Sequence, residues 1–374
     1  MINAKVHKSR GFAALSLVAA SALLLTACGG GAPAPTEVDL GAGPAKAGTV
    51  KADALKGHTL TFVSYGGLYQ DGQMAAAITP FGEASGAKIL SDGPTEYSKI
   101  KAQVASGNVT WDVVDTGSLW SAGQCDTELM PLDYDIIDVS NVPKELVSKC
   151  SVPAMQYANV FMYNTDKYKD APTTWADFFD TQKYPGKRSI DGSENIEGGI
   201  IEGALIADGV APKDLYPLDL PRALKKLDTI KDSLVYWTTG AQAQQMLESG
   251  EVDMSVMWSG RAYGAVNNGA HYAPVWDASV VVMDTLTVPK GAKNPKASMA
   301  MINYYLGAEQ QAKMTEETSY SPINTEAKPQ LTETGKNFLI TDPAIASKTL
   351  VGDFDWWGEN YTKVAEQWVA WVAK

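Results

Sequence analysis

The sequence predicts an α/β protein of two lobes, each built on a mostly parallel sheet flanked by helices. Short β-prone runs alternate with helical stretches in two separate parts of the chain, and this alternation is typical of parallel sheets. The part that follows residue 56 has about 320 residues, which is enough for two domains of ordinary size. Hydrophobic residues make up 45% of the chain, a normal proportion for a globular protein.

The first of the two parts contains three predicted strands separated by two predicted helices. The strands are rich in β-branched and aromatic residues, and the second helix spaces Ile100 and Val104 for one face. In chain order the elements are predicted at 59–64, 69–84, 88–90, 97–106 and 111–115. Strands joined through helices pair in parallel, so this part predicts one sheet with helices on its faces.

The second part repeats the alternation without repeating the sequence. Its elements are predicted at 188–191, 196–205, 222–230, 234–237, 241–249, 254–258 and 280–283. In open α/β sheets, ligands bind where loops leave the carboxyl ends of the strands. The residues that directly follow each strand are therefore the candidates for a binding site.

The N-terminal segment has the layout of a secretory signal. Basic residues precede an apolar stretch at 12–25, which is too short to span a bilayer comfortably. The segment ends in Leu-Thr-Ala, residues 25–27, directly before Cys28. This ending resembles the lipobox of bacterial lipoproteins, in which the cysteine becomes lipidated. We therefore expect a signal peptide at 1–27, a flexible tether at 28–56, and a lipid-anchored protein in the periplasm or at the cell surface. The alternative is an ordinary cleaved signal in which Cys28 is incidental.

The chain is acidic, with 43 Asp and Glu residues against 31 Lys and Arg residues. An acidic body repels phosphate backbones and attracts cations, so a cationic solute is a more suitable partner than nucleic acid. Cys125 and Cys150 are expected to form a disulfide outside the cytoplasm. With three His residues in the chain, we expect no metal or other cofactor.

Aromatic and charged or polar residues follow successive predicted strands. They are Tyr65, Tyr69, Ser118, Asp191, Glu194, Trp258, Arg261 and Asp284. Aromatic rings attract cations and carboxylates accept the hydrogens of an ammonium group, so this combination suits an organic cation. No Ser, Cys or Thr has an obvious base for nucleophilic catalysis. Taken singly, Trp258 is more often a core residue, and Asp191 and Glu194 are acids of the kind that favour a helix start.

Several segments, in their order and spacing, resemble the spermidine/putrescine-binding group of extracellular solute-binding proteins of ABC transporters. They are Ser64–Asp71, Trp111–Val114, Met257–Gly260, Val281–Asn294 and Ser321–Asn324. The resemblance covers nearly the whole mature chain and implies a type II periplasmic binding protein, with a ligand cleft between two lobes and no enzyme activity. It implies a first lobe of 57–160 plus 285–325 and a second lobe of 161–284 plus 326–374.

The resemblance also implies roles for single residues. Asp191 and Glu194 match an acidic pair that holds an ammonium group, and Trp258 matches a residue that stacks on an aliphatic chain. Asp284 matches an acid that binds another amine. Further ligand contacts are implied at Tyr65, at Ser118 or Trp120, at Tyr320 and at Trp357.

Two departures from the family pattern bear on the ligand. Val282 stands where polyamine binders often carry a second Trp, and Arg261 follows the Trp258 motif. A guanidinium repels a polyamine and pairs with a ligand carboxylate, unless it instead neutralises Asp191 or Glu194 within the protein. We expect a monomeric binding protein that delivers putrescine or spermidine to an ABC permease. The alternative ligand is zwitterionic, an ω-amino acid such as γ-aminobutyrate or an opine.

Two more distant functions use other features of the chain. A ferric-ion carrier would use adjacent tyrosines, but Tyr304 and Tyr305 lie in a predicted helix away from the strand ends. A secreted carbohydrate-active enzyme would use Asp191 with Glu194 or Asp284 as acid and base. An aromatic site on a tethered, two-lobed body favours capture of a solute over either function.

Overall fold

The centre of the computed structural model, which describes residues 38–374, is a mixed sheet of nine strands. The strands are β1 Thr59–Val63, β2 Lys88–Asp92, β3 Val113–Gly117, β4 Ser151–Asn164, β5 Arg188–Asp191, β6 Leu234–Trp237, β7 Met254–Trp258, β8 Tyr272–Thr287 and β9 Thr349–Val351. Across the sheet the order is β2-β1-β3-β8-β4-β7-β5-β6, and β9 pairs with β8.

Helices surround this sheet. They are α1 Gly67–Gln73, α2 Thr79–Ser85, α3 Tyr97–Ser106, α4 Ser118–Ser121, α5 Trp175–Phe179, α6 Ile200–Ala207, α7 Leu220–Asp228, α8 Gly240–Glu248, α9 Ser259–Asn267, α10 Pro295–Tyr305, α11 Ala308–Thr318, α12 Glu333–Lys336, α13 Pro343–Ala346 and α14 Phe354–Val372. A π-helical segment, Met74–Ile78, joins α1 to α2. Short 3-10 turns lie at Lys144–Leu146, Pro212–Asp214 and Lys231–Ser233. Among residues 38–374, no helix is long and apolar enough to cross a membrane.

Parallel pairing occurs in each half of the sheet, as the alternation of strands and helices predicts. β1 pairs in parallel with β2 and β3, and β5 pairs in parallel with β6 and β7. The halves are joined by β4 and β8, which have 14 and 16 residues and run antiparallel to each other. The strand predicted at 280–283 is therefore the middle of a longer strand that extends through both halves.

Helix α6 begins four residues later than the predicted start at 196. Gly198 and Gly199 adopt left-handed φ values of +74° and +84°, which a right-handed helix cannot include. The carboxylate of Glu202 then accepts the free backbone N–H of Gly199 and caps the helix. Glu197 consequently lies in a loop that follows β5 rather than on a helix.

The C-terminal helix α14 contacts elements of both halves. Tyr361 packs edge-on against Tyr97 of α3, with 5.8 Å between ring centroids, whereas Trp371 donates its indole N–H to Asp228 of α7 at 2.8 Å. The buried residues of this helix are spaced for one face, at Trp357, Tyr361, Val364, Trp368 and Trp371.

The predicted cysteine pairing is present, because Cys125 and Cys150 form a disulfide that closes a separation of 25 residues. The signal peptide, Cys28 and the first part of the predicted tether lie outside the described residues. The later part of that segment packs on the body of the protein. Asn303 of α10 donates to the carbonyl oxygens of Lys46 and Thr49, both at 3.0 Å, and Leu55 is fully buried.

Candidate ligand-binding site

A cavity of about 490 Å³ opens between the two halves of the sheet. Its lining comes from segments at the carboxyl ends of β1, β2, β5, β6 and β7, which is where open α/β sheets bind ligands. Three of the residues predicted from the sequence line it, namely Tyr65, Glu194 and Trp258.

Four buried carboxylates lie near residues of the cavity lining without belonging to that lining, and we refer to Asp115, Asp191, Glu197 and Asp284 as the acidic cluster. Within residues 38–374, each of them has one carboxylate oxygen without a hydrogen-bond partner. Burial, followed by the charges of three cluster members, raises the pKa of Tyr65 above its ordinary value, so the cluster acts on the cavity wall. Unpaired buried carboxylates are costly, and an ammonium group placed among them would offset that cost.

Glu197 reaches from one half of the sheet to the other. It accepts a hydrogen bond from the Tyr97 hydroxyl at 2.6 Å, and that hydroxyl lies 2.9 Å from the hydroxyl of Tyr65. A Cβ atom at Gly117 would lie 2.2 Å from the Glu197 oxygens, so only glycine leaves room for the carboxylate. Burial raises the pKa of Glu197 to about 8, opposed by the Tyr97 hydrogen bond and reinforced by neighbouring carboxylates.

Asp115 and Asp284 lie on adjacent antiparallel strands. Gly117 of β3 is opposite Asp284 of β8, which makes the two aspartates diagonal neighbours on one face. Asp115 accepts from the Tyr69 hydroxyl at 2.7 Å, and burial raises its pKa to about 7. Burial, together with the charge of Asp115, raises the pKa of Asp284 well above its ordinary value.

Arg261 lies in the first turn of α9 and is only 1% exposed. Its Nη2 donates to the carbonyl oxygen of Gly66 at 2.6 Å, whereas Nε and Nη1 have no partner in the part of the chain that the structure describes. No ion pair joins it to Asp191 or Glu194 within that same part. The sequence left two roles open for Arg261, namely pairing with a ligand carboxylate or neutralising Asp191 or Glu194. The contacts of the described residues leave its donors available for a ligand.

Two aromatic residues, Tyr65 and Trp258, belong to the cavity lining and pack against each other. Trp258 packs edge-on against Tyr65 and Trp237, with centroid separations of 5.6 and 5.3 Å, and it is also in contact with Tyr157. A Cβ atom at Gly240 would lie 2.6 Å from Nε of Arg261 and 2.7 Å from the Trp258 ring. The arginine is therefore next to two residues of the cavity lining.

The two halves touch at the rim of the cavity. Ser98 donates to the carboxylate of Glu194 at 2.8 Å, and the side-chain amide of Asn195 donates to the carbonyl oxygen of Thr95 at 2.9 Å. Both bonds join the segment after β2 to the segment after β5. The structure is thus in a closed arrangement, with the cavity between halves that contact each other.

Three other residues predicted to contact a ligand, Ser118, Tyr320 and Trp357, do not belong to the cavity lining. Ser118 accepts from the backbone N–H of Met283, beside Asp284, and Tyr320 packs on Tyr69 with 5.1 Å between ring centroids. Trp357 is placed elsewhere, because its fully buried indole donates to Glu202 at 3.2 Å.

Several residues of the site escaped prediction. Glu197 repeats the three-residue spacing of Asp191 and Glu194, which was the one signal available for it. The sequence predicted Asp115 as part of a strand and Tyr97 as the start of a helix, with no sign of a role in the site. Their burial next to the cavity depends on contacts between segments about 100 residues apart, such as Tyr97 with Glu197.

Comparison with known proteins identifies the family. A profile described as bacterial extracellular solute-binding protein matches residues 76–347. The chain belongs to this family. As a solute-binding protein it is the substrate-binding component of an ABC importer and not an enzyme.

Two relatives of this solute-binding protein differ in the ligand that their names state. A gamma-aminobutyric acid-binding protein of Pseudomonas aeruginosa is 30% identical over 335 residues, covering 86% of this chain and 93% of the relative. Spermidine/putrescine-binding periplasmic protein 1 of Haemophilus influenzae is 26% identical over 317 residues, covering 80% of this chain and 84% of the relative.

Solved structures confirm the fold of this solute-binding protein. A GABA receptor structure is 38% identical, with a TM-score of 0.76, and covers 85% of this chain and 98% of its own. A periplasmic binding protein of A. tumefaciens in complex with agropinic acid is 34% identical, with a TM-score of 0.79, and covers 85% of this chain and 99% of its own. The predicted two-lobed periplasmic binding protein fold is confirmed by these neighbours.

Proposed function

We propose that this solute-binding protein captures a small ω-amino acid of the γ-aminobutyrate type and delivers it to an ABC permease. The observation that carries the proposal is the buried guanidinium of Arg261, which keeps two unpaired donor nitrogens beside the acidic cluster. A ligand with a carboxylate at one end and an ammonium group at the other satisfies both.

The carboxylate of such a ligand belongs at Arg261. Guanidinium and carboxylate groups form paired, charge-assisted hydrogen bonds, and these are stronger where water is excluded. Burial lowers the pKa of Arg261 from its ordinary value, and the charges that oppose this shift, Asp284 among them, offset the burial only in part. A ligand carboxylate supplies the remaining compensation.

The ammonium group belongs at the acidic cluster. Glu197 and Asp284 both act on Tyr65, which lines the cavity, and each keeps an oxygen without a partner among residues 38–374. Trp258 and Tyr65 present ring surfaces against which the methylene groups of the ligand would pack.

A polyamine is the second candidate, favoured by the presence of four buried carboxylates against one arginine. The difficulty is that one ammonium group of putrescine would approach the guanidinium of Arg261, which repels it. The relative named for gamma-aminobutyric acid also has a higher identity and wider coverage than the one named for spermidine and putrescine. We therefore place the amino acid ahead of the polyamine.

Calorimetric titration with γ-aminobutyrate, putrescine, spermidine and agropinic acid tests the proposal. We expect γ-aminobutyrate to bind, and Arg261→Gln to weaken that binding by about 2–5 kcal/mol, because the ligand carboxylate loses a buried partner. Putrescine binding should not weaken in this variant, because a repulsive charge has been removed.

The matched control is Arg222→Gln, since Arg222 is exposed and pairs with Asp208 at the surface. This variant should bind γ-aminobutyrate like the wild type. A wild-type protein that prefers putrescine to γ-aminobutyrate, with no loss of affinity in Arg261→Gln, would contradict the proposal. Tight binding of agropinic acid alone would retain the role of Arg261 but assign an opine as the ligand.

The same proposal includes an arrangement of lobes and an anchor. We assign 57–160 with 285–325 to one lobe and 161–284 with 326–374 to the other, so that β4 and β8 cross between them. Ligand held in the cavity would stabilise the closed arrangement, as in other hinged proteins. A lipid on Cys28 would keep the protein near the permease.

A further inference from the structure

Glu202 is a fully buried carboxylate that contacts three hydrogen-bond donors from separate segments. It accepts from the backbone N–H of Gly199 at 2.6 Å, from the hydroxyl of Tyr216 at 2.8 Å and from the indole N–H of Trp357 at 3.2 Å. The indole also lies 3.2 Å from the Tyr216 oxygen. Glu202 therefore joins the start of α6 to the C-terminal helix α14.

One of these donors belongs to the loop that carries Glu197. The carbonyl oxygen of Glu197 accepts from the side-chain amide of Asn159 at 3.0 Å, and Gly199 is fixed two residues later by Glu202. A Cβ atom at Gly199 would lie 2.4 Å from the Cβ atom of Asn159, so the loop is pressed against β4. Both ends of the segment from 197 to 199 are held by buried side chains.

The helix α14 reaches Glu197 from a second direction. Tyr361, one turn after Trp357, has its ring 6.2 Å from that indole and 5.8 Å from the ring of Tyr97. Tyr97 in turn donates to the carboxylate of Glu197 at 2.6 Å. The same helix thus contacts the support of the Glu197 backbone and the donor to its carboxylate.

We propose that Glu202 and Trp357 are positioning residues, through which α14 sets the orientation of Glu197 in the ligand site. The connection runs from the Trp357 indole to the Glu202 carboxylate, and from there to Gly199 and Glu197. This inference rests on the proposed function, because it takes Glu197 as a partner of the ligand ammonium group. It gives Trp357 an indirect part in binding, where the sequence predicted direct contact.

The test compares two tryptophans of one helix. Trp357→Phe keeps a ring and removes the donor to Glu202, and we expect a roughly 3- to 10-fold weaker calorimetric Kd for γ-aminobutyrate, as for a lost buried hydrogen bond. Trp371→Phe is the matched control, because it removes the indole donor to Asp228, away from Glu197. Its Kd should stay within about twofold of the wild type.

A double-mutant cycle separates positioning from general loss of stability. In a Glu197→Gln background, Trp357→Phe should cause no further loss of γ-aminobutyrate affinity, because the group that it positions is no longer a carboxylate. Tyr216→Phe removes another donor to Glu202 and should behave in the same way. The Tyr216→Phe variant therefore serves as the test if Trp357→Phe does not fold.

Four outcomes would overturn the inference. Equal losses of affinity in both backgrounds would show that Trp357 acts independently of Glu197, and equal Kd values for Trp357→Phe and Trp371→Phe would show a structural role only. These two results leave the proposed function intact. If Glu197→Gln by itself leaves γ-aminobutyrate binding unchanged, or if the wild type does not bind γ-aminobutyrate, the proposed function fails as well.

Discussion

At the scale of residues, the site combines one buried arginine with several buried carboxylates that are not paired with it. Arg261 donates to a backbone carbonyl rather than to a carboxylate, and Glu197 accepts from a tyrosine rather than from a cation. Charges of opposite sign would neutralise each other if they were in direct contact. Nitrogens of Arg261 and an oxygen of each carboxylate have no hydrogen-bond partner among residues 38–374, which leaves each available for one end of a ligand.

The ionisation of the acidic cluster makes stability depend on pH. Burial raises the pKa of Asp191 to about 7 and that of Glu197 to about 8, so between pH 5 and 8 the folded protein retains protons that the unfolded chain has lost. The free energy of unfolding of the ligand-free protein should therefore fall as the pH rises through this window. Glu197→Gln should reduce the fall, as measured by urea unfolding at pH 5 and pH 8.

Glu194→Gln is the control for this measurement, because the Glu194 side chain is exposed at the cavity rim. It should keep the wild-type dependence on pH. The same fall in wild type and in Glu197→Gln would contradict a protonated Glu197 in the ligand-free protein.

At the scale of elements, the loop between β5 and α6 shows how a short sequence controls the position of a charge. Two consecutive glycines, Gly198 and Gly199, delay the start of the helix, which leaves Glu197 in the loop, where its carboxylate reaches Tyr97 of the other half. The alternation of hydrophobic residues predicted a helix here, and it placed the helix start four residues too early. The left-handed backbone of the glycines is the physical reason for the difference.

A pair of glycine substitutions tests this element. Gly199→Ala should destabilise the protein and weaken γ-aminobutyrate binding, because the new Cβ atom would lie 2.4 Å from Asn159. Gly209→Ala is a matched control, since Gly209 has a similar φ of +90° with no atom within 4 Å of the added Cβ. It should cost about 1–2 kcal/mol of stability through its backbone conformation and leave affinity unchanged.

Chemical denaturation and calorimetry distinguish the two substitutions. We expect Gly199→Ala to lose at least about 1 kcal/mol more stability than Gly209→Ala, because overpacking adds to the backbone cost. Equal losses, with equal affinities, would mean that the loop moves freely and does not hold Glu197.

At the scale of the whole molecule, two long antiparallel strands connect halves that each carry part of the site. The first half supplies Tyr65 and Tyr97, whereas the second supplies Glu197, Trp258 and Arg261. If these residues bind the ligand as proposed, we expect ligand binding to be coupled to contact between the halves, as in hinged proteins that close over a solute. Capture by closure also suits a protein that must release its ligand to a permease.

The proposed lipid anchor is tested on the full chain. Cys28→Ser should release the protein from the membrane and reduce solute uptake, because a tether keeps the local concentration near the permease high. Membrane fractionation and uptake assays measure these effects, while calorimetry on the purified protein should give the wild-type affinity. Protein that stays with the membrane in this variant would indicate that Cys28 does not carry the anchor.

The sequence alone was sufficient for the alternation of strands and helices, the disulfide and the family. These features depend on local composition or on the order of short motifs, so they can be read along the chain. Of the residues predicted at the strand ends, Tyr65, Glu194 and Trp258 line the cavity, and their contact with a ligand stays a prediction.

Only the tertiary structure decided how the charges of the site are arranged. Arg261 and Gly66 are separated by 195 positions, and Tyr97 and Glu197 by 100, yet each pair is in hydrogen-bond contact. Burial and pairing are properties of such distant contacts, and they determine whether a guanidinium is neutralised within the protein or is available to a ligand. For that reason the sequence favoured a polyamine, whereas the folded chain supports an amino acid with a charge at each end.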